Sequence, residues 1–542
     1  LCRKRYDVVL MNPPFGEACT GGSAKYLKLH YPLSNVNLAA NFIERAISIL
    51  YAQNGQIGYI ADKSIVIRNS YEQFRRDKIL SNKVSLFIDL GWGILDSAYV
   101  ETHLMVLSSK DLGYRTNYSI FFDLRNIQNF SAVEIISKIE SNTFSLIRQN
   151  TFLSTPNSTL LYDLPNEMLH IFKNNTFDPH LGIVRIGTSP GDAFRFYRYY
   201  WEVNADQTEW LNIYNGGEYC PFYRPSFYLQ KWQNNGEELK NLVDSFGSPK
   251  SFPRNLEFYG KPGLNYGKRN EYLNPYLMNE NSGFTDEGQS IFPKKINDAW
   301  YILGLLNSKL IRILLNSYCG QHKHSGYVRL IPIPLNDNLH KDVITEYSQI
   351  SYNIIREQVM FVLEHMNFVG PWNQQNFQDM DLKANIQSMQ QELHSKLDKL
   401  YECEKQINLA IQVQYNLTEK SEAFLSKKSN SMPTFSDGLL KLVGDKDFIA
   451  SKVKQLADYL LGCLFGRWDI RLSLNMTLLP RLSSAFQALP LQPPAALLNT
   501  NGNLADMGEL VSEEWLRARP DANSLPPEGS VKNPTIRDEE YP

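Results

Sequence analysis

The feature that most constrains the fold is an apolar run with an abrupt end. Val8-Val9-Leu10-Met11 leads directly into Asn12-Pro13-Pro14-Phe15 and then Gly16. Proline donates no ladder hydrogen bond, and its fixed φ turns the chain out of a sheet. The run is therefore expected to be a buried strand whose carboxyl end is Asn12-Pro13. In open α/β sheets, ligands bind outside the carboxyl ends of the strands. The strand thus delivers an amide side chain, two carbonyls without ladder partners and an aromatic ring to the place where a site is expected. The competing reading is a strand end followed by a rigid loop.

The chemistry of those groups suits an exocyclic amine. The Asn12 side-chain oxygen and the Pro13 carbonyl can accept the two hydrogens of an amine and draw its nitrogen toward a tetrahedral shape. Phe15 can stack on the face of a base, a contact worth about 1–3 kcal/mol.

Residues 1–110 alternate apolar runs with helical patterns, which indicates a mainly parallel sheet with covering helices. Strands are expected near 7–11, 56–61, 84–90 and 102–108, with helices near 35–52 and 69–81. In the first helix Leu38, Phe42, Ala46 and Ile49 recur at three or four residues and define a buried face. Asp89 and Glu101 sit near strand ends and read as capping or turn residues. Lys25 and Tyr26 fall in the loop after Phe15, as contacts to a base or phosphate or as solvated loop residues.

Residues 111–180 form a connecting layer with a helix near 132–140. From 181 to 340 the texture changes: Gly and Pro punctuate short runs, and aromatics interleave with Arg195, Arg198, Lys261, Lys268 and Arg269. This predicts a largely β module suited to nucleic acid, since cations neutralise phosphates and guanidinium or amide groups read base edges. Residue by residue, the alternative is aromatic core and solvated cations. Cys319, His322 and His324 lack a second ligand pair, so no metal is expected; His322, Lys323 and His324 read better as a phosphate-contacting loop.

Residues 341–430 turn helical, with Val343, Tyr347, Ile350 and Ile354 on one stripe and Leu393, Leu397, Leu400, Cys403, Ile407 and Ala410 on another. Lys420 to Pro433 is polar and reads as a linker, and 446–475 holds one more helix ending at Gly466. From about Leu489 the chain is rich in Pro, Asn and Glu.

A length of 542 residues implies several domains. A net charge of −2 argues weakly against non-specific polyanion binding but leaves room for local basic stripes. Six scattered cysteines fit reduced thiols in the cytoplasm, and no run approaches the ~20 apolar residues of a membrane span.

Val8 to Gly16, VVLMNPPFG, resembles the catalytic motif of adenine-N6 DNA methyltransferases. Later segments follow in that family's order: Asn37 to Leu50, Gly55 to Ile65, Val84 to Leu90 and Glu101 to Leu107. Gly187 to Val203 and Gly304 to Pro334 resemble the two ends of the target-recognition region of the large type IIG restriction and BREX (PglX-like) phage-defence class.

The resemblance implies S-adenosylmethionine as cofactor, double-stranded DNA as partner and methyl transfer to a flipped adenine, possible partnership with other defence-system subunits, and no membrane. It implies catalytic roles for Asn12, Pro13, Pro14 and Phe15. Asn12 and Pro13 are the cofactor contacts within reach. Lys25, Arg195, Arg198, Lys268, Arg269 and Lys323 are the candidate DNA contacts.

In that family a glycine-rich cofactor loop precedes the catalytic motif, and no Gly-x-Gly stands before Asn12. The chain is therefore expected to be a fragment lacking the cofactor-binding part. The expected fold is α/β: a partial Rossmann-like methyltransferase sheet, a largely β (α+β) target-recognition domain and a helical C-terminal region. The expected division is 1–115 for the C-terminal half of the catalytic domain, 116–180 for the connecting layer and 181–340 for target recognition. A helical spacer at 341–430, a helical segment at 431–485 and a Pro-rich segment or tail at 486–542 complete it. Two alternatives stay open: a DNA-recognition or scaffold fragment inactive without a separate cofactor-binding half, and a methyltransferase acting on RNA or on a protein glutamine.

Overall fold

The computed structural model describes residues 5–498 apart from 17–20, 36, 50–54, 95–99, 110–116, 126–131, 142–143, 204–208, 321, 337, 373–380, 444–447, 470–483 and 491. Most of the Pro-rich segment expected after Leu489 lies outside the described residues.

The chain opens with strand β1 (Val8–Met11), helices α1 (Gly22–His30) and α2 (Leu38–Ile49), and strand β2 (Gln56–Asp62). Strands β3 (Lys83–Gly91), β4 (Thr102–Ser108) and β5 (Tyr118–Asp123), helix α3 (Ala132–Glu140) and strand β6 (Ser145–Arg148) follow. The six strands form one sheet in the order β1-β2-β4-β3-β5-β6. β1 runs parallel to β2, and β3 parallel to β5, but β4 is antiparallel to both its neighbours. The sheet is thus mixed rather than mainly parallel. Only residues 92–101 join β3 to β4, too few for a helical crossover, so β4 returns beside β3 in the opposite direction.

Two expected helices differ in detail. In α2 the buried residues are Ala39, Ala40, Asn41, Ile43, Glu44 and Ala46, whereas Phe42 is half exposed. The helix is rotated by about one position from its hydrophobic reading because two polar residues are recruited inward. Ser34 Oγ donates to Glu44 Oε2 at 2.6 Å, Asn41 Nδ2 donates to Ser34 Oγ at 2.9 Å, and Lys78 Nζ lies 3.2 Å from Glu44 Oε1. The small side chains Ala39 and Ala40 then face the sheet. The helix expected at 69–81 is an irregular coil of 3-10, α and π turns from Asn69 to Ile79.

The recognition region holds two four-stranded sheets. Its strands are β7 (Gly182–Arg185), β8 (Tyr197–Tyr199), β9 (Trp210–Tyr214), β10 (Tyr228–Lys231), β11 (Gly263–Gly267), β12 (Tyr276–Met278), β13 (Ser282–Phe284) and β14 (Gly288–Pro293). The orders are β13-β9-β10-β8 and β12-β11-β14-β7. Tyr214 and Phe284 of one sheet pack with Tyr276, Met278 and Phe292 of the other. Close backbone approach sets a limit at Gly187, where a Cβ would lie 2.1 Å from the Phe284 carbonyl oxygen.

Helices α4 (Ala299–Asn307) and α5 (Lys309–Tyr318) are largely buried beneath these sheets. The Arg312 guanidinium lies between the Tyr219 and Tyr272 rings, 5.0 and 5.1 Å from their centroids, and donates to the Pro433 carbonyl at 2.9 Å. It fastens the recognition region to the helical C-terminal part: α6 (Lys341–Val359), α7 (Leu382–Gln414), α8 (Glu419–Ser429), α9 (Phe435–Val443) and α10 (Phe448–Leu464). The fold is α/β with a partial catalytic sheet, an α+β recognition region and a helical C-terminal region.

The polar stretch read as a linker is mostly helix α8. Thr418 Oγ1 accepts from the Ser421 amide, Glu419 and Glu422 sit in the first turn, and Lys427 and Lys428 sit in the last. Each charge opposes the nearby end of the helix dipole, so polarity here stabilises a helix instead of a loop. Among the described residues no helix is long and apolar enough to cross a membrane.

Two buried histidines make the fold acid-sensitive. His103 lies between the Tyr59 and Phe87 rings, and burial pushes it down to about 4. His365 accepts from the Asn367 amide and faces the Tyr223 hydroxyl; burial first, then Arg356, pushes it down to about 3. The unfolded chain takes up protons at these positions below its ordinary value of 6.5, before the folded chain does. Stability is therefore full above that value and falls as the pH drops toward the folded values. Each histidine contributes a loss of roughly 2 kcal/mol by about pH 5. Urea midpoints at neutral and acidic pH check this: His103→Phe should lessen the acid loss, and an unchanged loss would remove His103 as its source.

Candidate active site

β1 lies at one edge of the sheet, so Asn12-Pro13-Pro14-Phe15 leaves the carboxyl end of an edge strand, next to the end of β2. Pro13 is buried, Phe15 half-buried, and Asn12 and Pro14 are exposed. Two prolines restrict the backbone. Beyond them Gly16 adopts φ +136°, a conformation that favours glycine, and its carbonyl accepts from the Leu38 amide at 3.2 Å. Asn37 Oδ1 accepts from the Ala39 amide at 2.8 Å at the same end of α2. The loop is thus tied to the start of α2, with the Asn12 amide left facing outward. Along β1, Val8 and Leu10 are 58% and 80% exposed, and no strand among the described residues pairs with its outer edge.

A charge network lies under the neighbouring strand ends. Asp89, inside β3 and fully buried, accepts from Lys63 Nζ at 2.6 Å, from the Tyr162 hydroxyl at 2.5 Å and from the Gly91 amide at 3.1 Å. Arg125 Nε lies 3.7 Å away and also pairs with Asp123 and Asp163. Asp89 is therefore neither a capping nor a turn residue; it fixes the Lys63 ammonium at the end of β2. A carboxylate inside the apolar run Leu86 to Leu90, and a lysine directly after another strand, were the available signals. Their partnership was not readable, because it joins chain segments far apart in sequence.

The candidate DNA contacts are dispersed. Lys25 lies on the exposed surface of α1, in a helix and not in a loop. Arg195 donates through Nε and Nη2 to Glu238, which also pairs with Lys231. Arg198 donates to the Phe194 and Tyr197 carbonyls. Lys268 and Arg269 share Glu287, at 2.6 and 2.7 Å. Lys323, expected in an outward loop, is 2% exposed: its ammonium donates to the Gly320 carbonyl, and burial lowers its pKa. The exposed members of that loop are His322 and His324. Partial desolvation followed by the nearby cations, Lys268 foremost, holds both below the ordinary histidine value. The structure thus gathers Lys268, Arg269, His322 and His324 at one place and leaves Lys25, Arg195 and Arg198 elsewhere.

Residues 2–92 match the model of the Eco57I restriction-modification methylase family. The chain is 24% identical, over 501 residues, to the adenine-specific methyltransferase BrxX of Escherichia coli O9:H4 (strain HS), covering 86% of this chain and 39% of that protein. It is 20% identical, over 507 residues, to the adenine-specific methyltransferase PglX of Lacticaseibacillus casei (strain Zhang), covering 86% of this chain and 40% of that protein. A solved structure of the type IIL restriction-modification enzyme MmeI in complex with DNA aligns with a TM-score of 0.47 and 12% identity, over 78% of this chain and 56% of that one. The chain spans about 40% of the length of the curated relatives it matches. With VVLMNPPFG inside the matched segment, the chain carries an Eco57I-type restriction-modification methylase segment and is similar over most of its length to adenine-specific methyltransferases.

Proposed function

We propose that this chain supplies the amine-holding half and the target-recognition region of a site-specific DNA adenine-N6 methyltransferase of a restriction-modification or phage-defence system. The observation that carries this is the Asn12-Pro13-Pro14-Phe15 loop, at the carboxyl end of β1 and tied to α2, within the segment that matches a methylase family. Adenine is flipped from the duplex at a cost of a few kcal/mol. Asn12 Oδ1 and the Pro13 carbonyl accept the two hydrogens of its amine, Phe15 stacks on the ring, and Pro14 holds the loop rigid. The amine nitrogen loses its planarity and presents its lone pair; the proton leaves after transfer.

S-adenosylmethionine supplies the methyl group when bound. The described residues offer Asn12 and Pro13 toward it but no glycine loop to cradle it, and the outer edge of β1 is bare. The cofactor cradle belongs on strands that extend the sheet past β1, in a separate or preceding half. Arg195, Arg198, Lys268 and Arg269 contact DNA by exchanging their carboxylate or carbonyl partners for phosphates, with Lys25 beside the catalytic loop.

The test is tritium transfer from labelled S-adenosylmethionine to DNA, RNA and protein, with this chain alone and joined to a cofactor-binding half. Label should enter only DNA, at adenine N6, and only with the joined form. Label in RNA or in protein glutamine would overturn the substrate assignment. Transfer by the chain alone would overturn the division of the site.

A further inference from the structure

A cleft of about 590 Å³ lies beside the catalytic loop, over the ends of β2 and β3 and the start of β4. Its floor carries Lys63, Arg68 and Trp92 of the catalytic sheet; its opposite wall carries His322, His324 and Tyr327 of the recognition region. In the order β1-β2-β4-β3, with strands ~4.8 Å apart, the cleft begins one strand from Asn12 and ends three strands away, roughly 5–15 Å to the side. It adjoins the amine-holding loop without including it.

The lining is mixed in a way that narrows the ligand. Trp92 is 46% exposed and offers an aromatic face. Arg68 brings a permanent cation. His322 and His324, held below their ordinary pKa, are neutral near pH 7, and a neutral imidazole offers one donor and one acceptor. Glu101 adds an acceptor, and Asp62, whose Oδ1 accepts from the Ser64 amide at 2.6 Å, adds a second. A purely anionic ligand would be opposed by these two carboxylates. An apolar ligand would leave the polar wall unpaired. A nucleotide matches every part: a flat ring, polar edges that donate and accept, and one phosphate.

We propose that this cleft holds an unstacked nucleotide of the bound DNA next to the methylated one, its base on Trp92, its edge read by His322 and His324, and its phosphate on Arg68. The assignment rests on the DNA-methyltransferase reading above. It makes the 320–327 loop a specificity element that reaches across from the recognition region to the catalytic sheet.

Binding of the 542-residue chain to a short labelled duplex, intact or with one central mismatch, tests the proposal by fluorescence anisotropy. A mismatched nucleotide is already partly unstacked, so the mismatched duplex should bind about tenfold more tightly or better. Trp92→Ala should close most of that gap, Trp92→Phe should keep it, and His322→Ala/His324→Ala should narrow it. If the chain binds both duplexes and all three variants retain the full preference, the cleft does not hold the nucleotide, although the DNA reading stands. If the chain prefers single-stranded RNA to both duplexes, or binds no DNA, the DNA reading fails and the cleft assignment falls with it.

Discussion

Replacing Asn12 with alanine should lower methyl transfer by the assembled enzyme on the order of 10²–10³-fold or more. Losing one hydrogen-bonding group that acts on the reacting centre has that effect in well-studied sites. The reasoning depends on where Asn12 stands. Its side chain is exposed at the end of β1, so its removal takes nothing from the core. Exposed substitutions usually change stability by about 0.5 kcal/mol or less. Activity should therefore collapse while the thermal midpoint and DNA affinity hold. Tritium incorporation into DNA, measured beside a melting curve, checks both halves. Activity like that of the unaltered enzyme would rule out the role given to Asn12; a lost fold would show the residue to be structural.

The largest expected effect on stability lies elsewhere. Asp89→Ala should destabilise the catalytic sheet by about 3–5 kcal/mol, because removing one partner of a buried ion pair strands the other. Asp89 is fully buried, and its removal leaves the Lys63 ammonium and the Tyr162 hydroxyl without their acceptor at 2.6 and 2.5 Å. Tyr162 is itself wedged against Phe87 and stacked on Phe121, so the disturbance enters the aromatic core. The second arm is a double-mutant cycle. Lys63→Met together with Asp89→Ala should cost less than the sum of the single changes, since no stranded cation remains. Urea unfolding of the four forms reads the coupling, and strict additivity would show that Lys63 and Asp89 do not act as a pair. The same cycle bears on the cleft, because Asp89 holds Lys63 at its floor.

The legible and illegible parts of this molecule divide on physical grounds. Local chain chemistry was legible. Val8 to Met11 is a strand because the run is apolar, and it ends at Asn12-Pro13 because proline cannot continue a ladder. The stripe Leu393, Leu400, Cys403, Ile407 and Ala410 is buried in α7 as its spacing requires. The candidate catalytic loop was likewise readable, because its residues are consecutive in the chain.

What only tertiary structure decided involves partners distant in sequence. The face of α2 turned because Ser34 and Lys78 drew Asn41 and Glu44 inward, and hydrophobic periodicity carries no record of a polar partner. Asp89 read as a turn residue until Lys63, Arg125 and Tyr162 converged on it from three other segments. Lys323 turned inward to a carbonyl three residues away, while the flanking histidines came to face the catalytic sheet. β4 reversed direction because its connection to β3 is short, and that reversal set the ends of β2 and β3 beside the start of β4 at the floor of one cleft. Sequence determines what each segment can offer. Which offered groups meet is decided by burial, where a charge or amide must find a partner or not be buried at all.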